Sequence, residues 1–180
     1  YLIGRDLDFQ RFLDRAYHAN VQKSDQPRAA RCAFWLGLTL LFRGETGQGN
    51  GWLARAQRLV EGRDCVEQGY LLLPVAELHI RERNDEAAFV AASAAVEIGN
   101  RFGDADLTAC ALHLLGRAVI QQGEVQHGLG LFDEAMIAVS GGELSPIVTG
   151  LIYCSVIDAC QQIFALSRAR EWTLALTRWC

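Results

Sequence analysis

A ladder of alanines constrains this chain more than any other feature of its sequence. Ala16, Ala56, Ala95, Ala135 and Ala175 recur at intervals of 40, 39, 40 and 40 residues. Three residues before each rung stands Leu13, Leu53, Ala92, Phe132 or Trp172, most of them large and apolar. Twelve residues before the first four rungs come Gly4, Gly44, Arg83 and Gly123. Seven residues before the last three of these come Gly37, Ala76 and Gly116. A fixed period of this length marks a repeat protein, in which one unit cannot bury its apolar face alone and neighbours must stack.

The order of residue types within the period has a mechanical meaning. A small residue on the first helix of a pair lets the second helix approach closely. A large apolar residue and an alanine on the second helix fill and close that contact. Glycine between them supplies the left-handed turn that ends the first helix. The spacing predicts helices over about 5–20, 27–43, 50–61, 65–82, 85–100, 105–122, 125–139, 146–164 and 168–179. Leu107, Cys110, Ala111, Leu114, Leu115 and Ala118 keep three-four spacing throughout one of them. Pro27 after Asp25 and Pro146 after Ser145 sit where helices start. Asn84-Asp85 and Gly141-Gly142 punctuate others. No alternating stretch calls for a strand.

The fold expected is therefore all-α: an antiparallel helix-pair solenoid of about nine helices in one domain. Its units run over 1–24, 25–63, 64–102, 103–142 and 143–180. It starts at Tyr1 and stops at Cys180, inside a helical stretch. The expectation is a piece of a longer protein that begins in mid-pair.

Composition supports a packed core and narrows the function. Hydrophobic residues make up 51% and charged residues 21%, so disorder is not expected. Net charge is −4, with one lysine, Lys23, and singly scattered arginines, which is no footprint for a phosphate backbone. No direct nucleic-acid contact and no membrane association is expected. Cys32, Cys65, Cys110, Cys154, Cys160 and Cys180 lack the spacing of a zinc knuckle or redox motif and read as reduced thiols of a cytoplasmic protein.

No constellation calls for catalysis, a cofactor or a metal. Gly44-Glu-Thr-Gly-Gln-Gly-Asn-Gly51 offers backbone N–H groups, but no Gly-Lys-Ser/Thr follows and no strand precedes. It reads as a flexible turn whose glycines weaken the next helix. His18, His79, His113 and His127 lack the spacing of a helical metal site. Asp104 reads as a helix cap. Asp158 reads as a polar group on an inner helix that needs a partner, with Arg170 the candidate.

The segment Ala33-Phe-Trp-Leu-Gly37, followed by Gly44 and Ala56, resembles the tetratricopeptide pattern. Leu112-His-Leu-Leu-Gly116, followed by Gly123, Phe132 and Ala135, does so again. Units of forty residues are similar to the helical repeats of large bacterial LuxR-type regulators, including MalT-like signal-transduction ATPases. The stretch Gly142 to Cys154, with Arg168-Ala-Arg-Glu-Trp172 and Leu176-Thr-Arg-Trp-Cys180, resembles that region in actinobacterial members.

The resemblance implies right-handed superhelical stacking and a sensor or scaffold role beside ATPase and helix-turn-helix modules. It implies no enzymatic activity in this segment. In tetratricopeptide-like stacks the first helix of each pair lines the concave side. Carried over, that gives Arg31, Phe34 and Leu38, then Tyr70, Glu77 and Arg81, then His113, Arg117 and Gln121, then Tyr153 and Gln161 as residues for a protein partner or small effector. The alternative is an architectural module that only self-associates, as a homodimer.

Overall fold

The computed structural model describes residues 6–180, and every regular element there is helical. Among the described residues the order is α1 (Asp6–Gln22), α2 (Gln26–Phe42), α3 (Thr46–Val60), α4 (Glu67–Arg81), α5 (Asp85–Phe102), α6 (Ala105–Gln121), α7 (Val125–Ser140), α8 (Pro146–Gln162) and α9 (Leu166–Trp179). Short turns make sequential helices antiparallel neighbours. The chain divides into two compact units, Tyr1–Pro74 and Val75–Cys180, with the boundary inside α4. Gly4, one of the repeat glycines, lies outside the described residues.

Helix starts follow local chemistry. The Asp25 side chain accepts from the Arg28 N–H, Asn84 from Ala87 and Asp104 from Leu107. Each thereby satisfies one of the N–H groups that a first turn leaves without a helical partner. Each of the eight turns between consecutive helices holds one residue in the left-handed region. Five are glycines. Ser24, Arg83 and Phe164 take the same conformation with φ of 58°, 59° and 58° despite their side chains.

In the first unit α2 and α3 close on one another where both lack a side chain. A methyl group on Gly37 would lie 2.9 Å from the Gly49 carbonyl oxygen and 3.0 Å from Leu53. This is the close approach expected at Gly37, filled by the ladder residue Leu53. It also corrects the expectation of a flexible turn over Gly44–Gly51. Only Gly44 is a turn residue (φ 78°), and α3 already runs from Thr46. Gly49 is a packing residue, and that contact outweighs the poor helix propensity of the run.

The second unit repeats the arrangement at α6 and α7. A methyl on Gly116 would meet the Phe132 ring at 2.7 Å and the Gly128 carbonyl at 2.9 Å. Ala56 in the first unit, and Ala95 and Ala135 in the second, have no exposed surface. The outer rungs differ: Ala16 and Ala175 are half-buried, and in α1 the fully packed neighbour is Tyr17.

Candidate functional site

In the first unit, Arg31 and Phe34 lie on one stripe of α2, opposite Glu67 and Tyr70 of α4. The Arg31 guanidinium stacks 3.7 Å above the centre of the Tyr70 ring and reaches the Glu67 carboxylate at 3.2 Å. A cation between a π face and a carboxylate is held on two sides, and Arg31 keeps only 27% of its side chain exposed. Phe34 meets Tyr70 edge-on at 5.3 Å, and both are 1% exposed. These two aromatics are core residues with no surface for a ligand. Leu38 is half-buried.

In the second unit, Glu77 and Arg81 come from the end of α4, His113, Arg117 and Gln121 from α6, and Tyr153 and Gln161 from α8. Arg117 forks onto Glu77, with Nη1 on Oε2 and Nη2 on Oε1 at 3.4 Å. One turn on, the Gln121 amide donates to the Ile80 carbonyl at 3.1 Å. Spacing of four puts Arg117 and Gln121 on one face of α6, so both fasten that face to α4. Arg81 and Gln161 are exposed, and neither side chain has a partner among the described residues.

His113 and Tyr153 are buried instead. The His113 imidazole stacks on Phe132 at 5.8 Å and is 5% exposed. Burial, with the nearby Arg117 charge, pushes its pKa down to about 3, against a backbone hydrogen bond with Ser155. It is a neutral ring in the core at ordinary pH. Tyr153 packs on Trp179 at 6.1 Å and is 4% exposed. The structure thus brings Glu77, Arg117 and Gln121 together, leaves Arg81 and Gln161 in solvent, and places Phe34, Tyr70, His113 and Tyr153 in helix packing.

Several polar links escaped the sequence reading. Arg168 of α9 forks onto Asp133 of α7 at 3.0–3.2 Å. Asp106 accepts from the Ser145 N–H at 2.8 Å, and Gln122 donates to the Asp85 carbonyl at 3.4 Å. With Arg117–Glu77, these links span 35 to 40 residues, about one repeat. Opposite charges one period apart were the available signal. The Asp158 reading is corrected: the side chain is exposed on α8 and accepts from Gln162 at 2.7 Å, so it needs no Arg170.

All six cysteines are unpaired. Burial pushes the thiols of Cys32, Cys65 and Cys160 up, and that of Cys110 up to about 12. Thiols so shifted stay protonated and are poor nucleophiles or ligands. Among the described residues no three His, Cys, Asp or Glu side chains cluster as a metal site. No helix there is long and apolar enough to cross a membrane.

No known protein family matches the chain, and no curated protein matches it. Among solved structures it is similar to the N-terminal domain of stress-induced protein-1 from C. elegans. The identity is 17%, the match covers 72% of this chain and 96% of that one, and the TM-score is 0.44. The fold assignment rests on the helix pairs described above rather than on this likeness.

Proposed function

We propose that this chain is a binding repeat region, without catalytic activity of its own, of a LuxR-type transcriptional regulator similar to MalT-like signal-transduction ATPases. In this reading it takes a protein partner or small effector on the first helices of its pairs. It passes the signal to ATPase and helix-turn-helix modules of the same protein. The supporting observation is the state of the polar residues in the second unit. Arg81 and Gln161 are exposed and free to donate, and the Arg117–Glu77 pair of the same unit is still 27% and 39% exposed. A ligand carboxylate could compete for Arg117 at modest cost, because pairs so exposed are weak. A cytoplasmic setting suits the unpaired thiols.

Binding there would act by favouring one arrangement of the helix pairs over another. The test places photo-cross-linking side chains at Arg81 and Gln161, and separately at Val90 on the second-type helix α5, in the full-length protein in cells. Adducts to one species at Arg81 and Gln161, absent at Val90, are expected. Adducts at Val90 alone would sink the reading. A purely architectural, self-associating role is the second reading, favoured by apolar side chains left on second-type helices, Val90 at 61% and Ile137 at 69% exposure. It predicts adducts only between copies of the chain.

A further inference from the structure

The second unit carries a groove that the proposed ligand face does not use. It has a volume of about 380 Å³ and lies between the end of α5, the start of α6 and the end of α7. Of the apolar residues at its wall, Ala109, Leu112 and Ala135 are buried, so the apolar surface it offers comes from the half-buried Ala105 and Ala138 and from Ile137. Ile137 stands at its side with 69% of its surface exposed. Two of its lining residues mark the close α5–α6 contact, where a methyl on Gly99 would lie 2.5 Å from the Thr108 hydroxyl.

The charged residues that line this groove are both acidic. Glu134 and Glu143 line it, are exposed, and have no cationic partner among the described residues. The C-terminal turns of α5 and α7 both reach it, at Gly99–Asn100 and at Ala135–Ala138. Carbonyl ends of helices carry partial negative charge. The last turn of α7 holds no basic residue, and Arg101 in that of α5 lies over the Phe102 ring at 4.8 Å. The opposing contributions are the Arg101 guanidinium and the N-terminus of α6 at Ala105, which the Asp104 carboxylate already caps. Two unpaired carboxylates and two helix C-termini thus converge on an apolar trough.

We propose that this groove docks an extended segment of a protein partner in which an arginine or lysine flanks an apolar side chain. The apolar side chain lies against Ile137, Ala105 and Ala138. The cationic group reaches Glu134 or Glu143 at the rim, where charge-assisted hydrogen bonds form without burying either charge. The volume suits one or two side chains of an extended peptide, not a docked helix about 10 Å across. This surface is independent of the ligand face proposed above.

The probe is a fluorescently labelled peptide of about eight residues alternating arginine and leucine, titrated into the purified chain. Saturable binding in the range of about 100 μM or tighter is expected. Glu134→Gln with Glu143→Gln should weaken it about fivefold or more, and Ile137→Ser should weaken it as well. All three residues are exposed, so none of these changes threatens the fold. The charge-matched control is Glu86→Gln with Glu97→Gln, two exposed carboxylates elsewhere on α5. Control losses equal to those at the groove would show a general attraction and overturn the proposal. So would an unchanged affinity in Ile137→Ser, or the absence of binding at about 1 mM peptide.

Discussion

Helices α7 and α9 hold equivalent places in their pairs but are held by different physics. In α7, Gly128, Leu129, Phe132, Ala135, Met136 and Val139 are all buried, while in α9 only Ala169 is. The turn register makes the difference legible. Gly128 stands four residues after the N-cap Glu124, and Ala169 four residues after the N-cap Ala165. Eight residues before those caps stand Gly116 and Ile157. The α6–α7 pair therefore closes backbone to backbone, whereas the equivalent positions of α8 and α9 both carry side chains. What fastens α9 is largely specific: the Arg168 fork on Asp133 and the Tyr153–Trp179 ring contact. Leu166 and Leu174 remain 61% and 51% exposed.

The comparison breaks most visibly if the glycine contact is blocked. In Gly128→Ala the new methyl would lie 2.5 Å from the Gly116 carbonyl oxygen and 2.5 Å from Ile120. Backbone cannot yield as a flexible side-chain end can, so a loss of about 3 kcal/mol is expected. Alanine already stands at the equivalent place in α9, and Ala169→Gly should cost only about 1 kcal/mol of helix propensity. Urea denaturation of both variants measures the contrast. Equal losses would mean that the two contacts do not differ.

Acid should act on the same pair. His113 titrates near 6.5 when unfolded and at about 3 in the folded core, so the unfolded chain binds the extra proton between those values. Stability from this group is complete above pH 6.5 and is lost as pH falls toward 3. The slope approaches about 1.4 kcal/mol per pH unit, or about 2 kcal/mol by pH 5. His113→Phe should flatten that slope, as seen in denaturation midpoints at several pH values. A slope that survives the substitution would assign it to other groups.

What was legible in the sequence lies inside the pairs. Gly37 with Leu53, and Gly116 with Phe132, could be read because close approach needs a small residue facing a large one. The candidate site was less legible. Phe34, Tyr70, His113 and Tyr153 share a helix stripe with Arg31 and Arg117, but a stripe does not say how deep each side chain sits. The ion pairs were missed for another reason. A repeat ladder looks for like residues at like positions, whereas Arg117 and Glu77 hold equivalent positions with opposite charges, and Arg168–Asp133, 35 residues apart, joins unlike positions. Glycine has two uses, and Gly49 was misread because composition alone does not separate a turn from a contact.

The polar fastening of α9 sets the third expected effect. The Asp133 hydrogen bonds hold the Arg168 guanidinium protonated and raise its pKa. Both side chains are more than a third exposed, so Arg168→Ala should cost no more than about 1 kcal/mol. The loss should be local. Hydrogen exchange of α9 amides should speed up while those of α6 and α7 keep their protection. Uniform acceleration across all three helices would show that α9 is coupled to the glycine-closed pair, contrary to the division drawn above.

The smallest effect runs the other way. The turn between α6 and α7 uses Gly123 at φ 94°, while that between α8 and α9 uses Phe164 at φ 58°. Phe164 is 83% exposed, so its ring offers little packing in return for a conformation that costs an L-residue about 1 kcal/mol. Phe164→Gly removes that strain but gives the unfolded chain more freedom. A net gain of about 0.5 kcal/mol is expected, seen as a higher denaturation midpoint with unchanged slope. Arg83→Gly, at the turn between α4 and α5, should behave alike, since its backbone has the same left-handed geometry. If Phe164→Gly instead destabilises the chain, the exposed ring carries packing energy. The α8–α9 turn would then be held by its side chain, as the α6–α7 turn is held by its backbone.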